Sequence, residues 1–456
     1  MARPRYTIMK SALMLSFWLL WSAPIFASTS PQNQAPADAT KLAAPTLAHG
    51  TWRAWLDSPG GDLPFLLRME GAGNELKVWV LNGTERISIP EIRWEHPADA
   101  PPTLVLGFPH YDSEIRAQAM DIGRLDGTWK KRRGLDSWTE MKFHAVSGNE
   151  HRFLPTPMPL GVPQLPPVSG RYRIDFSSSK DPAVGVFEQD ETGLVDGTIL
   201  TTTGDYRYLA GRANGNELML SVFDGAHAFL FKARRTVPTP AGSPRQKQNP
   251  DLLTTLTGDF WSSDRWHETW TAKPDPDLQL PDAWQQVGLL PEAERPNWRE
   301  LSYPDLHNTP KRLDDDAFVG KARLIVLFGS WCPNCHDESQ YLKELHQRYS
   351  ERGLSILGLA FELSGDKKRD LKQLNRYHEV MELPYPVLLA GPANKKKAAV
   401  AFPILSEVKS YPTTLFLDAA GNIRHIWSGF SGPATGTAHL KLRAEYELRI
   451  ENLLAK

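Results

Sequence analysis

The stretch Ala322-Arg-Leu-Ile-Val-Leu-Phe328, continued by Gly329-Ser-Trp-Cys-Pro-Asn-Cys335, decides the fold. Its first half is an apolar, β-branched run of strand length. A helical pattern then runs from about Pro333 to Arg352 and stops at Gly353, the residue type that most readily closes a helix. Leu354 to Phe361 is the next strand, so the region opens as a βαβ unit. Downstream come a helix near Lys368 to Glu382 and a strand at Pro386 to Leu389. A hairpin of Thr413 to Asp418 with Asn422 to Trp427 turns at Ala420-Gly421, and an amphipathic helix, His439 to Leu454, follows. Strands alternating with helices predict an α/β layer fold.

The chain has 456 residues and 2 cysteines, both in this motif. That excludes a disulfide framework and a four-cysteine zinc site. Cys332 falls where the predicted helix begins, and unpaired N–H groups there favour negative charge by roughly 0.3 to 2 kcal/mol. A thiolate at that point attacks disulfides. Cys335, one turn on, is placed to close an intramolecular disulfide and so release a bound substrate. Trp331 and Pro333 shape and shield the site. Three other readings stand beside redox exchange: a c-type haem attachment, because Cys332-Pro-Asn-Cys335-His336 fits that signature; a zinc site using both thiols and His336; and a structural disulfide.

Outward from the motif the texture changes. Arg3, Arg5 and Lys10 precede the apolar run Ala12 to Trp21, with small residues at Ala27 and Ser28: residues 1–27 read as a secretory signal. An uncleaved anchor is the alternative. Residues 28–45 read as a flexible tether. Residues 46–280 are all-β, with runs such as Glu75-Leu-Lys-Val-Trp-Val-Leu81 and turn signals at Asn82-Gly83, Asp126-Gly127, Asp196-Gly197 and Asp224-Gly225. The many tryptophans here read as core. Gly50-Thr-Trp-Arg53 is echoed by Gly170-Arg-Tyr-Arg173. Leu125-Asp-Gly-Thr-Trp129 with Trp138-Thr-Glu140 is echoed by Leu256-Thr-Gly-Asp-Phe-Trp261 with Trp266-His-Glu268. These echoes suggest two copies of a small barrel or sandwich, residues 46–153 and 168–280, joined by the Pro-rich Leu154 to Pro167; one larger β-domain is the alternative. A second Pro-rich stretch, Lys273 to Pro281, leads into the redox region, residues 282–456. With Lys+Arg 52 against Asp+Glu 53, the net charge of -1 argues against nucleic acid as a partner. Lys395-Lys396-Lys397 reads as a solvated helix face.

Taken with Ser410-Tyr-Pro-Thr-Thr414, residues 282–456 resemble the thioredoxin fold, and within it the TlpA/ResA-like exported thiol-disulfide oxidoreductases. The resemblance rests on Gly329 to Glu338, Gly358-Leu-Ala-Phe-Glu362, Tyr411 to Asp418 and Gly429 to Gly436. The β-rich part is more weakly similar to the N-terminal extension of larger members, through Gly204 to Gly211 and Phe223 to Phe231. The resemblance implies that Pro412 is a cis-proline facing the cysteines, that Tyr411 offers its backbone to a substrate strand, and that Glu362 relays protons to the resolving thiol. Val326 departs from ordinary thioredoxins, which carry a buried aspartate there, and Asn334 stands where the group often has proline. His336 reads either as lying beside Cys335, where a cation would favour a thiolate, or as a merely exposed side chain. The resemblance implies a periplasmic enzyme that reduces disulfides in exported proteins, with a link to cytochrome c maturation, a membrane thiol transporter as electron donor and no soluble cofactor. An oxidative disulfide donor, a c-type haem carrier and a redox-inactive binding module are the alternatives.

Overall fold

In the β-rich region every second residue turns inward. In Gly61–Glu70 it is Leu63, Phe65, Leu67 and Met69 that are fully buried, while Arg68 and Glu70 reach outward. The computed structural model describes residues 45–155, 165–236, 255–318 and 320–455. The expected signal, the tether up to Ala44 and the middle of the Pro-rich join, 156–164, lie outside the described residues.

The first sheet has nine strands: β1 (Gly50–Ser58), β2 (Gly61–Glu70), β3 (Lys77–Asn82), β4 (Glu85–Ser88), β5 (Glu91–Glu95), β6 (Thr103–Phe108), β7 (Ser113–Asp121), β8 (Arg124–Arg132) and β9 (Trp138–Ser147). The second has β10 (Gly170–Phe176), β11 (Ala183–Gln189), β12 (Leu194–Thr201), β13 (Gly204–Asp205), β14 (Leu209–Asn214), β15 (Glu217–Phe223), β16 (Ala228–Thr236), β17 (Thr255–Ser262) and β18 (Trp266–Pro274). Both are antiparallel. The first runs β4-β3-β2-β1-β9-β8-β7-β6-β5 and stays open; the second follows the same circular order, but β12 pairs with both β11 and β14 and closes a barrel. The open side of the first sheet is filled from the second: Phe223, Ala226, Ala228 and Leu230 join its core, with the Phe65 and Phe223 rings stacked at 4.3 Å.

The three sequence echoes fall on topologically equivalent strands. Gly50 and Gly170 open β1 and β10, Leu125 to Trp129 and Leu256 to Phe260 lie in β8 and β17, and Trp138 and Trp266 open β9 and β18. The expected turns at Asn82-Gly83 and Asp224-Gly225 are present, but Asp126-Gly127 and Asp196-Gly197 lie inside strands β8 and β12. Close approach explains these two glycines. A Cβ on Gly127 would sit 2.0 Å from the Arg116 carbonyl oxygen, and one on Gly197 2.3 Å from that of Val186. Gly258, the counterpart of Gly127, meets the Lys232 carbonyl oxygen at 2.0 Å in the same way.

After a two-stranded ribbon, β19 (Ser302–Pro304) with β20 (Pro310–Arg312), the C-terminal sheet has order β23-β22-β21-β24-β25. These strands are Ala322–Phe328 (β21), Leu354–Glu362 (β22), Val387–Pro392 (β23), Thr413–Asp418 (β24) and Ile423–Ser428 (β25). β21, β22 and β23 are parallel, and β24 and β25 run antiparallel. Around them lie α1 (Pro333–Tyr349), α2 (Lys367–Met381), α3 (Lys395–Ala401) and α4 (Thr437–Leu454). This is the thioredoxin-like arrangement, with a β-rich region in front of it. Every residue of β21 is buried, Val326 included, as the apolar run Leu324 to Phe328 requires, and the buried Arg323 donates to the Leu313 carbonyl. α3 begins at the lysine run that reads as a helix face. Among the described residues no helix is long and apolar enough to cross a membrane.

Candidate active site

Strand β21 ends at Phe328, and the chain turns through Gly329, Ser330 and Trp331 before α1 starts at Pro333. Gly329 permits this turn, because a Cβ there would lie 2.2 Å from Trp331 Nε1. The indole is fixed by donating to the Phe361 carbonyl at 2.9 Å, and its ring meets Tyr411 edge-on. Cys332 is the N-cap of α1: its sulfur accepts the Cys335 N–H at 3.3 Å. This puts the sulfur at the head of the helix, against its first unpaired N–H groups. The Tyr411–Pro412 peptide is cis, and the Tyr411 carbonyl accepts from Cys332 Sγ at 3.5 Å. Both thiols are unbridged and buried. Burial pushes the Cys335 thiol well above its ordinary value, and the adjacent Cys332 sulfur pushes it the same way. Cys332 lines a cavity of about 590 Å³; Cys335 does not.

Two buried carboxyls flank this loop. Glu362, at the end of β22, accepts from Ser330 N–H at 2.9 Å and from the Ser330 hydroxyl at 2.8 Å, so it holds the segment that carries the cysteines. Burial raises it to about 8 against those hydrogen bonds. Glu338, absent from the sequence expectations, lies one turn beyond Cys335 on α1, and its charge contributes to the rise of the Cys335 thiol. Thr414 and Tyr446 donate to its Oε1 at 2.7 and 3.0 Å, its Oε2 has no partner, and burial raises it to about 7. The i,i+3 spacing from Cys335 was legible as a shared helix face; its burial was not.

These carboxyls set a pH dependence of stability. An unfolded glutamate ionises near pH 4.3, whereas Glu362 keeps its proton to about pH 8. Between those values the folded state binds more protons than the unfolded, so stability falls as pH rises through the window. Glu362→Gln keeps an acceptor for the Ser330 N–H and supplies a donor to its hydroxyl. The variant is expected to match the parent near pH 4 and to exceed it at pH 8 by about 2–4 kcal/mol in urea unfolding. A variant less stable than the parent at pH 8 would contradict this assignment.

The β-rich region reaches the same helix. Asn334 donates to the Asp205 carbonyl and carboxylate at 3.4 and 3.3 Å, and Gly432 N–H donates to that carboxylate at 2.6 Å. Burial lifts Asp205 to about 6. Arg207 pairs with Asp337 of α1 and donates to the Pro333 carbonyl at 3.3 Å. It also pairs with Glu85 of β4 at 2.6 Å and lies 3.2 Å from Asp224. Behind them the His336 ring packs against His110 at 5.0 Å and Tyr111 at 5.6 Å. Burial and the neighbouring His110 hold His336 well below its ordinary value, so it is neither the cation beside a thiolate nor the exposed side chain that the sequence left open. Neither is His336 among the residues lining the cavity beside Cys332. Among the described residues no group of three or more His, Cys, Asp or Glu side chains is placed to hold a metal ion. The structure thus brings Trp331, Cys332, Pro333, Asn334, Tyr411 and Pro412 together. It adds Glu338, and from the β-rich region Lys131, which lies in none of the sequence motifs, and Asp205 and Arg207, which lie in a stretch that carried only the weaker resemblance.

Residues 296–426 match the family model described as AhpC/TSA family. Over 126 residues the chain is 32% identical to the thiol:disulfide interchange protein DsbE of Allochromatium vinosum, covering 28% of this chain and 61% of that protein. It is 26% identical to the thiol-disulfide oxidoreductase ResA of Geobacillus thermodenitrificans, covering 27% of this chain and 63% of the relative. The chain therefore spans just under two thirds of each of these relatives. Among solved structures it is similar to a thiol:disulfide interchange protein of Chlorobium tepidum, with 21% identity, a TM-score of 0.27, and coverage of 35% of this chain and 97% of that one.

Proposed function

We propose that this chain is an exported, periplasmic thiol-disulfide oxidoreductase that reduces disulfides in exported proteins. The observation that carries the reading is the asymmetry of the two sulfurs: Cys332 caps α1 and borders a cavity, while Cys335 is enclosed with its thiol driven up. In the first step the Cys332 thiolate attacks one sulfur of a substrate disulfide. A Cys332–substrate disulfide forms, and the other substrate sulfur leaves as a thiolate and takes a proton. In the second step Cys335 loses its proton and attacks Cys332 Sγ. The Cys332–Cys335 disulfide forms and the second substrate thiol departs. Two electrons pass to the substrate, so a dithiol donor must restore the enzyme; a membrane thiol transporter is the donor class proposed.

Cys335 needs a base for that second step. Glu338, one turn away with an unpartnered oxygen and raised to about 7, is placed to take the proton. Glu362 fixes the loop through Ser330 and acts as a second proton holder. The Tyr411 backbone beside cis-Pro412 offers a carbonyl to a substrate strand. The β-rich units, residues 46–153 and 168–280, then work as a fixed cover over the redox domain, residues 282–456.

A Cys335→Ser variant completes the first step only. Incubated with a periplasmic extract, it is expected to collect proteins joined through Cys332 and released by dithiothreitol. Trapped cysteines that belong to cytochrome c apoproteins would assign the reduction to haem attachment. No reducible adducts, or equal amounts on a Cys332→Ser control, would contradict the reading.

A further inference from the structure

The cavity bordered by Cys332 has two walls. One is the redox domain, with Trp331, Asn334, Lys395 and Tyr411; the other is the β-rich region, with Lys131, Thr203, Phe229 and Trp266. Its ionisable lining, apart from Cys332 and Tyr411, consists of Lys131, Arg132, Arg133, His227, Arg265 and Lys395, and no carboxylate is among it. Some of these groups are paired from behind. Arg132 pairs with Asp112, His227 with Asp224, and Arg133 and Arg265 share the single carboxylate of Asp264. Lys131 and Lys395 are different. Their ammonium groups donate only to main-chain carbonyls, Ala226 at 2.9 Å and Lys409 at 2.5 Å. Each ammonium has further protons to give; Asp224 acts on Lys131 and Glu407 on Lys395 electrostatically, but among the described residues neither lysine forms a close ion pair with a carboxylate. Cys332 lines the same cavity and interacts electrostatically with Lys131.

Resting on the oxidoreductase reading above, we infer that this cavity selects a disulfide flanked by carboxylates, with Lys131 and Lys395 as the two anchors for the acidic groups and Cys332, in the same cavity, as the attacking sulfur. A volume of about 590 Å³ admits a few residues of extended chain or a small anionic disulfide, not a folded domain. Phe229, Trp266 and Trp331 give its walls the apolar surface that the carbon skeleton of such a segment would cover. Substrate electrons and atoms follow the two steps already written; the cations remain unchanged throughout and act by holding the approaching chain. Focused charge of one sign in a walled cleft raises encounter rates for the opposite sign by roughly 10- to 10³-fold at low salt.

The test uses the full chain in its dithiol form at pH 7, with three short peptide disulfides identical except for glutamate, glutamine or lysine on both sides of the cystine. The second-order rate of Cys332–Cys335 oxidation is expected to be at least about tenfold faster with the glutamate peptide than with the lysine peptide. That ratio should collapse toward one in 0.5 M salt, where the Debye length is about 4 Å against about 30 Å in 0.01 M buffer. A Lys131→Gln, Lys395→Gln double variant should bring the ratio toward one, and Lys131→Arg, Lys395→Arg should keep it. The ratio cancels any change in the reactivity of the sulfur itself. Oxidised glutathione, run alongside, tells a small anionic disulfide from an acidic peptide as the source. Equal rates for all three peptides would overturn the inference and leave the oxidoreductase reading standing; no oxidation by any disulfide would overturn both.

Discussion

A Cys332→Ser variant is expected to lose disulfide reduction by about 10³-fold or more in kcat/KM, measured with insulin or a peptide disulfide. A hydroxyl at the N-cap still accepts the Cys335 N–H, so α1 keeps its start and the fold keeps its stability. What disappears is the sulfur that borders the cavity. Cys335 cannot replace it: that thiol is buried, driven well above its ordinary value, and outside the cavity lining. Cys335→Ser should behave differently, retaining the first attack and losing the release step, so that a substrate adduct accumulates instead of product. Equal first-step rates in the parent and Cys332→Ser, followed by stopped-flow, would refute the assignment of roles.

The second large effect concerns Arg207, which joins three elements beside the active-site helix. Its side chain is only 7% exposed and faces Glu85 of the first sheet, Asp224 of the barrel turn and Asp337 of the active-site helix. Removing one member of a buried charge cluster leaves the others unpaired, at a cost of about 3–5 kcal/mol. Arg207→Met is therefore expected to lower unfolding stability by that amount at pH 7. The loss should shrink near pH 5. Glu85 is already raised by burial with Arg207 in place, and without it the carboxyls take protons more readily, so the unpaired charge is relieved as pH falls. A variant within about 1 kcal/mol of the parent at pH 7 would mean that the cluster does not join the β-rich region to the redox domain.

Much of this arrangement was written in local pattern. The apolar run before Cys332 became the central strand, Gly353 closed the active-site helix with φ 106, and the three repeat echoes landed on matching strands of two sheets. The turn reading of Asp126-Gly127 and Asp196-Gly197 failed because a glycine serves two purposes. It permits positive φ, and it also leaves room where strands pass closely, which only the packed sheet reveals. The cationic reading of His336 failed for a related reason. Nothing in the sequence says that a segment more than 200 residues upstream, His110 and Tyr111, covers that ring. Glu338 was visible by spacing, but its weight as a proton acceptor depends on burial by Thr414 and Tyr446. The weaker resemblance proved informative in an unforeseen way. Gly204 to Gly211 contains Asp205 and Arg207, and Phe223 to Phe231 contains Asp224 and Ala226, so both segments touch the active-site helix or the cavity.

The central claim is that Cys332 is the attacking sulfur and Cys335 the resolving one, and the most direct measurement is the alkylation rate of each thiol in the reduced chain at pH 7, read by peptide mass mapping. The account predicts that Cys332 takes label at least about tenfold faster than Cys335 and faster than a cysteine in an unstructured peptide. Cys335 reacting first, or both sulfurs reacting at the unstructured rate, would contradict it.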